Sequence, residues 1–142
     1  MWTVLPLKSL RPVKSRLAQV LSPVQREDLM KAMLSDVLRA LADCLEIDGV
    51  LLVSKDPGIE PLAAEFSAEV LVLDEDEDLN DAVQAATDHL CEKGIKQALI
   101  LHGDIPLLRA GSLYQLIAAS WQTDLTLLPC HQGQGTNAII TS

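Results

Sequence analysis

Ala98-Leu99-Ile100-Leu101-His102-Gly103-Asp104-Ile105-Pro106 is an apolar run that breaks at once into a polar loop restricted by proline. Four apolar residues without polar alternation read as a strand buried on both faces. The same unit recurs upstream. Trp2 to Leu5 is apolar, and Ser22-Pro23 then starts a helix, with Ser22 as N-cap and Pro23 at the first helical position. Leu29, Met33, Val37, Leu38, Leu41 and Leu45 follow at steps that mostly keep one helical face, predicting a helix from Pro23 to Leu45. Val50 to Val53 reads as a strand, Asp56-Pro57-Gly58 as a turn, Pro61 to Phe66 as a short helix and Val70 to Leu73 as a third strand. Asn80 is the expected cap of a helix reaching Glu92, with Gly94 ending it. Beyond the quoted stretch come a helix over Ser112 to Ala119 and strands at Leu125 to Leu128 and Ala138 to Ile140. Alternating helices and continuously apolar strands predict an α/β fold of three layers around a mainly parallel sheet. No linker, repeat or low-complexity tract divides residues 1–142, so one domain is expected.

Composition narrows the function classes. Hydrophobic residues make up 49% of the 142 and aromatic residues only 3%, so the core must be aliphatic. No apolar run approaches the roughly 20 residues of a membrane span, and Lys8 and Arg11 interrupt the only candidate leader segment. A cytoplasmic protein is expected. Cys44, Cys91 and Cys130 lack close metal-ligand spacing, which argues against structural zinc and for reduced thiols. The net charge of −9 argues against non-specific nucleic-acid binding. Against that acidity, Lys8, Arg11, Lys14 and Arg16 crowd the first sixteen positions, where no acid occurs before Glu27. Such a loop after an N-terminal strand suits a polyanion such as a triphosphate, although a solvated loop would have the same composition.

In parallel sheets of this kind ligands sit beyond the carboxyl ends of the strands, where strand order reverses. The basic loop, the acidic run Asp74 to Asp78, the Asp104 loop and the Gly135-Thr136-Asn137 segment all follow strands, so all four are expected on one edge. Asp104 could hold a magnesium ion bridging phosphate oxygens, or cap the next helix or turn. Lys14 and Arg16 supply the cations that phosphoryl or nucleotidyl transfer requires. Neither G-x-x-x-x-G-K-S/T nor G-x-G-x-x-G occurs, so side chains and loop amides would have to grip the phosphates. Gly135 permits close backbone approach and Thr136 offers a hydroxyl to a phosphate or carboxylate, and a tight turn would use the same residues. Asn80 could read a base edge or cap its helix. The five acids fit a solvated face better than a site. His102 could contact substrate or serve as an oriented structural histidine, and Cys130-His131 lacks a third group for nucleophilic chemistry.

Pro6-Leu7-Lys8, Lys14-Ser15-Arg16-Leu17, Leu21-Ser22, Asp36-Val37-Leu38, Leu79-Asn80, Asp104-Ile105-Pro106 and Gly135-Thr136-Asn137 occur in one order along nearly the whole chain. In that order the chain resembles the 2-phospho-L-lactate guanylyltransferases, CofC in archaea and FbiD in bacteria, of coenzyme F-420 biosynthesis. The resemblance implies a nucleotide-diphospho-sugar transferase-like fold. It also implies transfer of GMP from GTP to 2-phospho-L-lactate, phosphoenolpyruvate or 3-phosphoglycerate, with release of pyrophosphate and with Mg2+ as cofactor. By the same resemblance Lys14 and Arg16, assisted by Lys8, would bind the GTP phosphates and Asp104 would hold magnesium. Asn80 would lie near the guanosine, and Thr136 with Gly135 near the phosphorylated acid. Family members are expected to continue past Ser142, with a Gly/Ser loop and a second acidic metal ligand. A short chain of this kind would then be active, complete its site from a partner, or be a folded nucleotide-binding relative without catalysis. A transferase using another nucleotide and acceptor is the remaining alternative. An uncovered edge near Ile139-Ile140 would favour a homodimer.

Overall fold

The first strand, β1 (Trp2–Leu7), forms the middle of a six-stranded sheet and is hydrogen-bonded in parallel on both sides. The computed structural model describes residues 1–7, 17–73, 78–131, 133 and 135–141. After β1 come helix α1 (Pro23–Ala42), strand β2 (Gly49–Ser54), a 3-10 turn at Pro57–Ile59, helix α2 (Glu60–Glu65) and strand β3 (Glu69–Val72). Helix α3 (Leu79–Glu92), strand β4 (Ala98–Leu101), helix α4 (Ala110–Ser120) and strands β5 (Leu125–Pro129) and β6 (Thr136–Thr141) complete it. The strand order is β3-β2-β1-β4-β6-β5; β6 runs antiparallel to both of its neighbours. The predicted three-layer, mainly parallel α/β architecture is therefore the observed one.

Alternation along the strands splits the core into two. Leu5, Leu52 and Leu99 face α1 and α4, where Leu34, Leu38, Leu41, Leu113 and Ile117 are buried. Val4, Leu51 and Val53 face α3, whose Ala82, Ala86 and Leu90 meet them. Small residues on α3 let its axis lie close to the sheet. Truncating any of the fully buried leucines to alanine costs about 2–5 kcal/mol in cores of this kind. The β5 edge is less covered: Leu125, Leu127 and Leu128 are exposed.

Several boundaries differ from the sequence reading, each for a physical reason. Helix α1 starts at Ser22 as expected, its hydroxyl accepting from Gln25 N and its own N–H donating to the Gln25 side chain. It ends at Ala42 rather than Leu45, because the chain tightens there, with Cys44 N–H donating to Leu41 O at 3.1 Å. That turn buries Cys44 and leaves Leu45 94% exposed. Burial and the Glu46 carboxylate, 3.3 Å from its sulfur, push the Cys44 thiol pKa up. Asn80 does not cap α3. Asp78 does, its Oδ1 accepting from Asn80 N at 2.7 Å and Asp81 N at 3.1 Å, while Asp81 Oδ2 accepts from Asp78 N. β1 continues through Pro6 to Leu7, past the expected end at Leu5. Its pairing with β4 covers only Trp2–Val4, whereas pairing with β2 runs to Leu7. Proline, which has no N–H for a ladder, thus falls where β1 and β4 have parted.

The amino edge of the sheet is closed by packing. A Cβ at Gly49 would come within 2.6 Å of the Trp2 ring, so the indole lies against bare backbone. Lys93 Nζ sits 4.7 Å from that ring's centroid and also pairs with Glu69. The Lys93 ammonium, with His89, holds the Glu69 carboxyl below the ordinary carboxylate range.

Gly94 ends α3 at φ 75°, with Gly94 N–H donating to Cys91 O and Ile95 N–H to Leu90 O, both at 2.9 Å. A methyl group there meets no atom within 4 Å, so Gly94→Ala should lose only the left-handed backbone preference, about 1 kcal/mol. Gly111, early in α4 and also without neighbours, should gain about 0.5–1 kcal/mol as Gly111→Ala. Urea denaturation of both variants reads these opposite signs directly.

Candidate functional site

The chain leaves β1 first for β2 and β3 on one side, then for β4 on the other. That reversal opens a crevice at the carboxyl ends of β1 and β4, the place where such sheets bind ligands. Two cavities occupy it and meet at Pro6, Leu79 and Asn80. The larger, about 540 Å³, lies over the ends of β1, β2 and β3 and is lined also by Lys55, Leu73 and Asp78. The smaller, about 400 Å³, lies toward β4 and β6 and is lined by Gln84, Ile100, His102, Thr136 and Asn137. Both fall within the size range of small-ligand pockets.

Asn80 stands between them. Its backbone N–H is taken by the Asp78 cap, and its exposed side chain lines both cavities. Thr136 begins β6, whose antiparallel pairing with β4 brings its first residues to the carboxyl edge, Ala138 opposite Leu101. His102, just past β4, has Nε2 3.0 Å from Thr136 O, so a proton on Nε2 joins the ends of β4 and β6. Gly135 belongs to the hairpin loop between β5 and β6. Its carbonyl accepts from Cys130 N at 2.7 Å, and Gly133 N–H donates to Cys130 O at 2.9 Å. The turn and the cavity wall thus use neighbouring residues of one segment.

Asp104 is exposed in the loop after β4. It does not cap the next helix, since α4 begins at Ala110 with Arg109 in the cap position. A Cβ at Gly103 would run into Leu7 Cδ2, so glycine lets this loop lie against the end of β1. Lys8, Lys14 and Arg16 lie outside the described residues, as do the first four acids, Asp74 to Glu77. Among the described residues no three His, Cys, Asp or Glu side chains gather as a metal cage. A single exposed carboxylate is a hard oxygen donor of the kind magnesium takes when substrate phosphates and water supply the rest. Asp104 therefore fits an ion arriving with a polyphosphate.

Sequence reasoning missed Lys55, Gln84 and the capping role of Asp78. The rule that selected Asp104 would have found Lys55, which follows β2 directly on the same edge. Gln84 follows Asn80 by four residues, one helical turn along the same face.

The profile of the family described as "Guanylyl transferase CofC like" matches residues 1–142. A phosphoenolpyruvate guanylyltransferase of Roseiflexus castenholzii is 37% identical over 142 residues, covering 99% of this chain and 63% of that protein. A 2-phospho-L-lactate guanylyltransferase of Methanothermobacter thermautotrophicus is 34% identical over 137 residues, covering 96% and 60%. The chain thus spans less than two thirds of the length of these curated relatives. A Desulfovibrio desulfuricans protein assigned as a nucleotide-diphospho-sugar transferase superposes with a TM-score of 0.78 at 18% identity, over 99% of this chain and 62% of that one. A 4-diphosphocytidyl-2C-methyl-D-erythritol synthase superposes at 0.69 and 13%, over 99% and 74%. At such identities the structural likeness establishes the fold, which is the nucleotide-diphospho-sugar transferase-like α/β fold that the family resemblance implied. No described helix is long and apolar enough to cross a membrane.

His102→Ala removes the hydrogen bond to Thr136 O. A neutral bond of this kind contributes about 0.5–1.5 kcal/mol net, so amide exchange at Asn137 and Ala138 should quicken by up to about tenfold. Exchange in α1 should stay unchanged. Hydrogen–deuterium exchange by mass spectrometry measures both segments at once.

Proposed function

This chain belongs to the family of CofC-like guanylyl transferases, and from that premise we propose that it joins GMP from GTP to a small phosphorylated carboxylic acid. Phosphoenolpyruvate and 2-phospho-L-lactate, the substrates in its relatives' names, are the leading acceptors, with 3-phosphoglycerate a third. The proposed setting is coenzyme F-420 biosynthesis. The observation that carries the reading is the pair of cavities meeting at Asn80, two compartments of different chemistry for two substrates.

In this reaction a phosphate oxygen of the acid attacks the α-phosphorus of GTP. The bond from the α-phosphorus to its bridging oxygen breaks, and that electron pair leaves with pyrophosphate. Catalysis of this class is mostly positioning and charge stabilisation. In the proposed arrangement Lys14 and Arg16, with Lys8, hold the triphosphate. Asn80 orients the guanosine, and Thr136 with the backbone of Gly135 orients the acid. Asp104 would hold Mg2+, which when bound neutralises phosphate charge. Gly103, the residue before Asp104, lies against Leu7 at the end of β1, and Lys8 follows Leu7 in the sequence, which supports pairing Asp104 with the triphosphate. The hydrogen-bonded ends of β4 and β6 keep Thr136 facing the same crevice. Binding both substrates in adjacent cavities turns a two-body collision into an oriented approach.

Pyrophosphate release measured with GTP and magnesium, offering each of the three acids separately, tests the proposal. Release with one acid and none without acid is expected. No release with any acid, from folded protein, would overturn it. Asp104→Ala should lower turnover by about a hundredfold or more. An exposed loop carboxylate contributes little packing, so the thermal midpoint should barely move. Unchanged turnover would remove Asp104 from the site. Lys14→Ala should weaken GTP and Thr136→Ala the acid, each with little effect on the other substrate, as KM values would report.

A further inference from the structure

Helix α1 carries a cation that none of the roles above uses. Arg26, near its start, is half-buried, and its Nε is shielded from solvent with no acceptor among the described residues. Lys31, Arg39 and Lys93 each meet an acid, Glu27, Asp36 and Glu69 respectively, whereas Arg26 meets none among the described residues. Its own helix cannot supply one, because the positions three and four away are Ser22, Pro23, Leu29 and Met30. Residues 8–16 contain no acid either. A shielded guanidinium donor without an acceptor is costly, and in a chain of net charge −9 its lack of an anion needs a cause. The Nη donors are not shut in with Nε, so an arriving anion would meet them first.

The fold places this group past the carboxyl edge of the sheet. Because β1 and β2 are parallel, α1 runs from the carboxyl edge back to the amino edge. Arg26, Met30 and Leu34 share one face of α1, and Met30 and Leu34 are buried in the same core cluster as Leu5. A Cβ at Gly103 would lie 3.4 Å from Leu34 Cδ1 as well as against Leu7, so Leu34 stands level with the end of β1. Arg26 precedes Leu34 by eight residues, about 12 Å further out along the helix axis. Ile105 and Leu108 pack on that cluster too, which puts the Asp104 loop on the same side of the sheet. The cavities that border Asn80 and Thr136 are walled instead by Ala82, Val83 and Gln84 of α3, on the other side.

We infer that Arg26 grips the β- and γ-phosphates of the nucleotide, the pyrophosphate that leaves. The inference rests on the guanylyltransferase reading and adds to it the residue that holds the leaving group. With guanosine and acid in the α3-side cavities, the far end of the triphosphate is the part that extends toward α1 and the Asp104 loop. As the bond from the α-phosphorus to the bridging oxygen breaks, its electron pair stays on that oxygen, and the fixed positive charge of the guanidinium stabilises it without moving a proton. A planar fork of N–H donors suits two phosphate oxygens at once.

The test is equilibrium binding of GTP, GMP, inorganic pyrophosphate and phosphoenolpyruvate, each with magnesium, to the full chain and to Arg26→Met and Arg26→Lys. Methionine keeps an unbranched apolar stem and lysine keeps the charge without the fork, so both variants should fold, as circular dichroism would verify. Arg26→Met should lose about tenfold or more in affinity for GTP and for pyrophosphate, while GMP and phosphoenolpyruvate bind as before. Arg26→Lys should recover part of that loss. The thermal midpoint of unliganded Arg26→Met should hold or rise, since a shielded donor without an acceptor has been removed. Unchanged affinities for GTP and pyrophosphate would make Arg26 a structural residue and overturn the inference. An equal loss for GMP, or a loss confined to phosphoenolpyruvate, would take Arg26 off the leaving group and overturn it as well. Each of those results leaves guanylyl transfer standing. Failure of the unmodified chain to bind GTP at all would instead defeat the guanylyltransferase reading, and the inference with it.

Discussion

The arrangement depends on β1 having a parallel partner on each side. Parallel neighbours cannot be joined by a tight turn, so each pairing requires a crossover, and the sheet must be covered on both faces. Val4 and Leu5 meet that demand in opposite directions, one toward α3 and one toward α1. The chain builds outward from β1 to β3 before α3 carries it back across to β4. The crevice is a consequence of that reversal, since β1 and β4 part beyond Val4 and, among the described residues, no crossover fills the gap. Pro6, unable to donate a hydrogen bond, marks the place.

The two edges of the sheet are used differently. At the amino edge Trp2, Gly49, Lys93 and Glu69 interlock through ring contact and an ion pair. At the carboxyl edge polar loops converge on open cavities. Helix α3 spans the two, ended by Gly94 near one edge and by the Asp78 capping box at the other. Its buried alanines and leucine hold it against β1 and β2. The position of Asn80 is thus set by a packed helix rather than by a loose connection, which suits a residue bordering two cavities. Chemistry carried on loops and anchored by a packed layer is the usual division in α/β proteins.

A transfer between two small substrates needs adjacent sites that distinguish them. Among the described residues the crevice offers one compartment with Lys55 and Asp78 beside Pro6, Leu7, Leu73 and Leu79, and one lined by carboxamides, the Thr136 hydroxyl and the His102 imidazole. They touch at Asn80, so bound molecules would meet over the end of β1. Proximity of this kind replaces much of the entropy a bimolecular encounter would lose.

The sequence by itself determined the elements. Apolar runs at 50–53 and 98–101, the apolar repeat through α1, the Ser22-Pro23 start and the Gly94 stop act over a few residues of backbone, so short-range patterns suffice to read them. The ordered motifs also identified the family, whose profile matches residues 1–142. Which of several neighbouring acids and amides would cap α3 was ambiguous locally, and Asp78 rather than Asn80 does so through hydrogen bonds that only the folded turn permits. Only the tertiary structure decided that β6 runs antiparallel beside β4, that Thr136 therefore joins His102, and that Lys55 shares a cavity with Asp78. Those pairs lie 34 and 23 positions apart, and the physical cause is long-range: strand order and crossover packing bring distant segments together, and no local hydrogen-bond pattern encodes it.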